Sequence, residues 1–360
     1  MDEKLHKKLQ DRKEKGTLRS LSSFEGMIDF ASNDYLGFSL NNVLHSDLPK
    51  RGATGSRLIS GNTKYIGETE ENLGKIFHSD AALCFNSGYD ANVGIFSSIP
   101  QRGDIILYDE FIHASARDGI RLSLAKSYRF KHNDLKDLKR LLELNKSQTI
   151  YIAVESLYSM HGDFCPLEEL ILMSEKFGAY IILDEAHSAG VVGPSGRGMA
   201  YALNLHSKCF VRLVTFGKAF GTHGSVVLCS KELRAFLINF ARSFIYTTAL
   251  PVSAYDKMLQ ATQIEDADHL RRTLQKRIVY FREKLSNSLL SSASNSPIQF
   301  VKFDDLDELK RIERVLHKSG IFVKAIYSPT VSEGGEGLRI SLHSFNSEQE
   351  IDSLVRVMSS

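Results

Sequence analysis

Residues 180–190 read Y-I-I-L-D-E-A-H-S-A-G. The run from Tyr180 to Leu183 shows no alternation of polar and apolar residues, and a carboxylate, Asp184, closes it. A strand that is apolar throughout is buried on both faces, as in a largely parallel sheet covered by helices. A carboxylate at its end is costly unless it meets a cation or strong donors, or caps the next helix. D-E-A-H also occurs in a helicase motif. That motif requires G-x-x-x-x-G-K-[ST] upstream, and this chain has none.

The same pattern recurs outward from this stretch. Strands are expected at 81–85, 104–108, 127–131, 150–155, 209–216 and 224–229, and a short one at 27–31. Helices are expected between them at 67–77, 88–98, 114–124, 134–144 and 166–177. A charged helix opens the chain over the first 15 residues, with Gly16 as its stop. After Pro251 the pattern changes. A helical stretch runs from about 252 to 290 into the loop S-S-A-S-N-S-P, followed by I-Q-F-V-K-F, a helix at 305–319, I-F-V-K-A-I, L-R-I-S-L and a helix at 347–358. The expected division is an N-terminal segment (1–45), a large α/β domain (46–250) and a small α+β domain (251–360).

The 360 residues carry 45 Lys+Arg against 43 Asp+Glu, a balance that points away from nucleic acid or an anionic membrane as the main partner. No apolar run is long enough for a transmembrane helix, and the charged N-terminus does not read as a secretory signal. The four cysteines, Cys84, Cys165, Cys209 and Cys229, form no C-x-x-C pair, so neither a zinc site nor a disulfide framework is expected. A cytoplasmic protein with free thiols is the expectation.

In open α/β sheets, ligands sit beyond the carboxyl ends of the strands. After 81–85 comes N-S-G-Y-D-A-N, where Ser87 and Gly88 open a helix, either as an ordinary N-cap or as an anion site. His113 lies at the next helix start, a position that suits a capping, core or site histidine. After 150–155 comes the polar loop S-L-Y-S-M-H-G-D, with Ser156, Ser159, His161 and Asp163. His187 follows Asp184 by three residues. After 209–216 comes G-K-A-F-G. Lys218 is no nucleotide-loop lysine, because Ala219 stands where Ser or Thr would hold magnesium. A lysine in a cramped, partly apolar turn suits chemistry on its amine, since desolvation lowers its pKa and makes it a Schiff-base nucleophile. A lysine, an acid and an anion site at separate strand ends together match the requirements of pyridoxal phosphate.

With these residues in view, the chain resembles the α-oxoamine synthases, a family of fold-type I pyridoxal-phosphate enzymes. The resemblance rests on S-N-D-Y-L-G (32–37), G-S-R-L-I-S-G-N-T (55–63), F-N-S-G-Y-D-A-N (85–92), D-E-F-I-H-A-S (109–115) and H-N-D (132–134). It continues through S-M-H-G-D (159–163), D-E-A-H-S-A-G (184–190), G-R-G (196–198), T-F-G-K-A-F-G (215–221) and G-L-R-I-S-L (337–342). It implies an aspartate aminotransferase-like fold: a three-layer α/β/α large domain with a mainly parallel sheet, plus a small C-terminal α+β domain.

The resemblance also implies roles. Lys218 anchors the cofactor and later acts as base, Asp184 pairs with the pyridinium nitrogen, and His113 stacks on the ring. His187 and Ser159 lie near the phenolic oxygen, and the backbone at Ser87, Gly88 and Tyr89, with Thr215, holds the phosphate. Thr247 or Thr248 reaches the phosphate of a partner subunit, which implies a homodimer with shared sites. Arg339 takes the amino-acid carboxylate, Asn33 lines the substrate pocket and Arg19 is a further substrate contact. The implied reaction is a decarboxylating condensation of L-alanine with a pimeloyl thioester, carried by CoA or by an acyl-carrier protein. A family member with another amino acid or acyl chain, an aminotransferase of the same fold, and a silent cofactor-binding module remain open. Ile66, Tyr327, Ser328 and Asn346 depart from the family pattern and bear on acyl specificity.

Overall fold

A computed structural model describes residues 2–359 apart from 15, 20, 22, 23, 50, 286–294 and 329. The chain opens with the exposed helix Glu3–Glu14 and a strand, β1 (Ile28–Asp29), shorter than the expected 27–31. Next come β2 (Ala81–Phe85), β3 (Ile105–Asp109), β4 (Lys126–Phe130), β5 (Ile150–Glu155), β6 (Tyr180–Asp184), β7 (Val211–Thr215) and β8 (Ser225–Cys229). They form one seven-stranded sheet in the order β2-β8-β7-β6-β5-β3-β4. The run from β7 to β4 is parallel. Only β8 runs antiparallel, to β7 and to β2.

Burial explains why these strands lack alternation. Ile182 packs on one face of the sheet, among Ile95, Ile120 and Leu213. Its neighbours Ile181 and Leu183 pack on the other, among Leu138, Leu170 and Leu142. Each such side chain contributes about 1.5–3 kcal/mol relative to exposure. The strand expected at 127–131 is the exception: β4 is an edge, exposed at four of its five positions. Helix Gly88–Ser98 covers the first face, and helices Leu135–Leu144 and Leu167–Phe177 cover the second.

The small domain holds β9 (Ile298–Lys302), β10 (Ile321–Phe322), β11 (Lys324–Ile326) and β12 (Gly337–Ser341). An antiparallel sheet β11-β12-β9 carries helices Leu306–Lys318 and Glu348–Met358. The run I-F-V-K-A-I splits at Val323: β10 pairs with β1, and β11 pairs with β12. The helical stretch expected from 252 is two helices, Val252–Ala261 and Ala267–Lys284. The first ends where the Thr262 hydroxyl turns back to the Leu259 carbonyl at 2.6 Å. The expected end of that stretch, and residues 291–294 of the following loop, lie outside the described residues.

The cores divide differently from the motifs. Phe30, Tyr35, Leu36 and Phe38 pack among Leu274, Phe281, Leu309 and Ile340, so the early segment completes the small domain's core. Tyr255 and Met258 instead pack with Leu73 and Phe77 of the large domain. Helix Val252–Ala261 buries its apolar face on helix Lys64–Ile76, whereas Ala267 and Leu274 of the next helix pack in the cluster of Phe30 and Ile340. The cysteines are free thiols. Among the described residues no helix is long and apolar enough to cross a membrane.

Candidate active site

The carboxyl ends of β5, β6 and β7 converge below Arg339 of β12, and the loop at residues 32–35 closes the remaining side. Lys218 sits in the turn between β7 and β8. The Gly221 amide closes that turn on the Lys218 carbonyl at 2.8 Å, and Thr222 bonds back to Phe216 at 2.9 Å. Gly221 has φ +60, and a Cβ there would lie 2.6 Å from the Ser39 backbone, so only glycine lets this turn pass the N-terminal segment.

The Lys218 Nζ lies 2.9 Å from His187 Nε2, and His187 Nδ1 lies 2.8 Å from the Tyr35 hydroxyl. Tyr35 donates to Asn33 Oδ1 at 3.0 Å, and Arg339 Nη2 donates to the same oxygen at 3.0 Å. These bonds assign one direction: Lys218 donates to His187, His187 to Tyr35, and Tyr35 to Asn33. Burial, reinforced by the Lys218 and Arg339 charges, pushes His187 well below its usual range, so its ring is neutral. Burial also lowers Lys218 to about 8, against the opposing pull of Asp184 and Glu155. The lysine keeps partial solvent access while protein surrounds its amine.

Asp184 belongs to a second network. Its Oδ2 accepts from Asn92 at 2.8 Å and its Oδ1 from the Ala186 amide at 2.9 Å. Asn92 also donates to Ser115 Oγ at 3.0 Å, and Ser115 Oγ lies 2.7 Å from His113 Nδ1. The Ser115 amide donates to the same ring nitrogen, which leaves the His113 Nε2 to carry the ring proton. Thus His113 caps helix Ala114–Leu122 and is tied to Asp184 at the same time. Burial, and secondarily the Lys218 charge, lowers its pKa, with Asp184 opposing.

Ser87 caps helix Gly88–Ser98, accepting from the Asp90 amide at 3.1 Å. The first-turn amides at Gly88 and Tyr89 have no intrahelical partner and present the positive end of the helix dipole. A Cβ on Gly88 would stand 3.6 Å from the Thr215 side chain, so Thr215 lines this helix start. The Tyr89 ring turns outward, 48% exposed, and its hydroxyl donates to Asp118. Thr247 and Thr248 lie against Asn86, which donates to the Thr247 hydroxyl at 3.0 Å and the Thr248 carbonyl at 2.8 Å.

Arg339 is 7% exposed and held at all three nitrogens: Nε donates to the Ser159 carbonyl at 2.6 Å, Nη1 to Ser341 and Nη2 to Asn33, which leaves one N–H on each terminal nitrogen. Arg19 stands apart from this network. It donates to Thr330 at 3.2 Å in a cavity of about 900 Å³ lined also by Arg12, Leu21, Phe24, Lys310 and Lys324. Tyr327 and Ser328 line that cavity too, whereas Ile66 is core and Asn346 is buried between His343 and the Asp29 carbonyl. Of the four departures, only Tyr327 and Ser328 face an open volume.

The sequence reading did not single out Tyr35, Asn92, Ser115 or Glu155. Asn92 was detectable from Gly88, four positions earlier and therefore on the same helix face.

A family model, "Aminotransferase class I and II", matches residues 25–358. The chain belongs to this family. Within it, the chain is an α-oxoamine synthase: it is 37% identical to 8-amino-7-oxononanoate synthase of Emericella nidulans, across 98% of this chain and 94% of that one. Among solved structures, serine palmitoyltransferase from S. paucimobilis, with PLP and myriocin bound, superposes with a TM-score of 0.88 at 26% identity, covering 99% of this chain and 96% of that one. 8-Amino-7-oxononanoate synthase from Francisella tularensis superposes at 0.77 with 30% identity, covering 93% and 97% respectively. The family's cofactor is pyridoxal 5'-phosphate, and this α-oxoamine synthase carries residues that fit it: an amine lowered to about 8, an acid fixed by two donors, and a capped helix start lined by Thr215.

That amine carries a pH prediction. If Lys218 takes up pyridoxal phosphate through its neutral amine, the uptake rate of the apo-protein should rise with pH and level off above about 8. Stopped-flow absorbance of cofactor uptake reads this directly. A rate independent of pH across that range would contradict the lowered amine.

Proposed function

We propose that this α-oxoamine synthase condenses L-alanine with a pimeloyl thioester, releasing carbon dioxide and the thiol to give 8-amino-7-oxononanoate. The observation that carries the reading is the buried Lys218–His187 pair, placed between Asp184 and Arg339 in a chain closely similar to 8-amino-7-oxononanoate synthases along its length. Lys218 would hold pyridoxal phosphate through its amine and Asp184 its ring nitrogen. Ser87, Gly88, Tyr89 and Thr215 would hold the phosphate, with His187 and Ser159 toward the phenolic oxygen. When bound, that group supplies an electron sink for a carbanion at the amino-acid α-carbon.

The remaining work belongs to the chain's own side chains. Arg339 orients the alanine carboxylate, and its fixed fork sets the α-proton toward the lysine. Lys218 Nζ, lowered to about 8 and so available in its neutral form, takes that proton, and neutral His187 accepts a hydrogen bond from the amine. His113 Nε2–H polarises the acyl carbonyl as the new carbon–carbon bond forms and the carbon–sulfur bond breaks. The alanine carboxylate then departs as carbon dioxide, and Lys218 returns a proton to the same carbon. Arg19 and its basic, partly apolar cavity suit the anionic end of a dicarboxylic acyl chain. A homodimer in which Thr247 or Thr248 reaches the partner's phosphate site is part of the proposal; within one chain both threonines meet Asn86, one residue before Ser87.

The test is alanine-dependent release of thiol and carbon dioxide from pimeloyl-CoA and from a pimeloyl acyl-carrier protein. The serine palmitoyltransferase likeness makes serine with a long acyl thioester the competing pair. Turnover with that pair and none with alanine would overturn the assignment, and a keto acid in place of thiol would indicate transamination.

A further inference from the structure

Glu155 ends β5 directly opposite Asp184 on β6, so two carboxyls stand side by side at the floor of the site. It is 3% exposed, and among the described residues its Oε1 has no hydrogen-bond partner. A carboxyl placed there is expensive unless it holds something in place. Its Oε2 accepts from the Ser159 amide at 3.2 Å. The carbonyl of the same residue accepts from Arg339 Nε at 2.6 Å. One residue therefore stands between the carboxyl and the guanidinium, tied to the first by its N–H and to the second by its C=O. Ser159 opens the tight turn S-M-H-G-D. In that turn a Cβ on Gly162 would lie 1.9 Å from the Ile298 carbonyl, so the far end of the turn packs directly on the small-domain backbone while its Ser159 end is held by Glu155.

We infer that Glu155 is a positioning residue for the substrate carboxylate: by holding the Ser159 backbone it fixes the carbonyl that aims Arg339. The inference rests on the proposed reading of Arg339 as the carboxylate receptor. Ionisation is not required of Glu155. Burial, reinforced by Asp184, pushes its carboxyl up to about 8, so at neutral pH it is mainly the acid. A neutral acceptor suffices for the Ser159 amide, and it leaves Asp184 as the one carboxylate facing Lys218. Around Glu155 the charged groups are Asp184 and Lys218, with neutral His113 nearby.

The experiment uses the cofactor-loaded enzyme and measures equilibrium binding by the absorbance change of the bound cofactor. The two ligands are L-alanine and ethylamine, which is alanine without its carboxylate. Glu155→Ala should weaken alanine at least about tenfold and leave ethylamine within about twofold, because only the carboxylate meets Arg339. In an Arg339→Ala background the same substitution should add less than about twofold, since the two changes remove one interaction. Glu155→Gln keeps an acceptor for Ser159 and should restore alanine affinity to within about threefold of the parent. It also guards against misfolding of the alanine variant. Equal weakening of both ligands, full additivity with Arg339→Ala, or a glutamine variant as impaired as the alanine one would each overturn the inference. If Arg339→Ala alone leaves alanine affinity unchanged, the carboxylate-receptor reading fails instead, and the two failures are distinguishable.

Discussion

Lys218→Ala is expected to abolish turnover, with a loss of at least about 10³-fold in thiol release, while the protein melts at the same temperature or higher. The residue has two tasks on one atom. In the proposed mechanism its amine is the nucleophile that anchors the cofactor and the base that takes the α-proton, and no neighbour supplies a substitute. His187 is the nearest titratable group, but burial, with the Arg339 charge, still lowers its pKa once the Lys218 charge is gone. Tyr35 is no better placed, since burial raises its hydroxyl to about 12. The stability half of the prediction follows from the same burial. A desolvated amine lowered to about 8 costs the fold free energy, and its removal relieves that cost at the expense of one hydrogen bond to His187. Single-turnover thiol release together with a thermal melt separates the two effects. A variant that unfolds early would assign Lys218 a structural role that the bonds of its turn do not suggest.

Asp184→Asn should cost on the order of 10²–10³-fold in turnover, the range seen when one preorganised electrostatic contact is removed from an active site. The amide oxygen can still accept from Ala186, but the amide nitrogen faces the Asn92 donor across 2.8 Å, so one bond becomes a donor–donor contact. The substitution also removes a charge. Asp184 raises the pKa of both Lys218 and His113, so the asparagine variant lowers Lys218 still further below its usual range. Asp184 also raises Glu155, which should ionise at lower pH in the variant. The expected signature is a large fall in turnover together with cofactor uptake that saturates at lower pH than in the parent. Measuring the uptake profile beside turnover checks both halves, and an unshifted profile would remove Asp184 from the electrostatics of the amine.

The strand ends were legible because strands buried on both faces carry no alternation, so a polar residue after the run stands out. Asp184, Lys218 and Ser87 are all of this kind. His113 was visible only as a histidine at a helix start, and its tie to Asp184 passes through Asn92 and Ser115, which no local pattern joins. Glu155 closes I-Y-I-A-V-E just as Asp184 closes Y-I-I-L-D, so the same signal was present, but its partner is the backbone amide of Ser159, which no side-chain pattern reveals. The backbone was legible where apolar runs were bounded by glycine or proline. It was less so where tertiary pairing divides a run, as at Val323, or where a threonine turns a helix back, as at Thr262. Allegiance to a core was the least legible feature. Phe30 and Leu36 come early in the chain, yet their burial partners lie near its end.

The Arg339 fork has a consequence for how the molecule is made. It joins Asn33 to a residue 306 positions later and Ser159 to one 180 positions later. A chain emerging from the ribosome exposes the lysine loop and completes the large sheet before β12 exists. Contacts of such long sequence separation form late, because the loop-closure entropy must be met first. With Arg339 in its proposed role, a nascent or truncated chain would therefore carry a reactive amine without the receptor that selects its substrate, and selectivity would be the last property the polypeptide acquires.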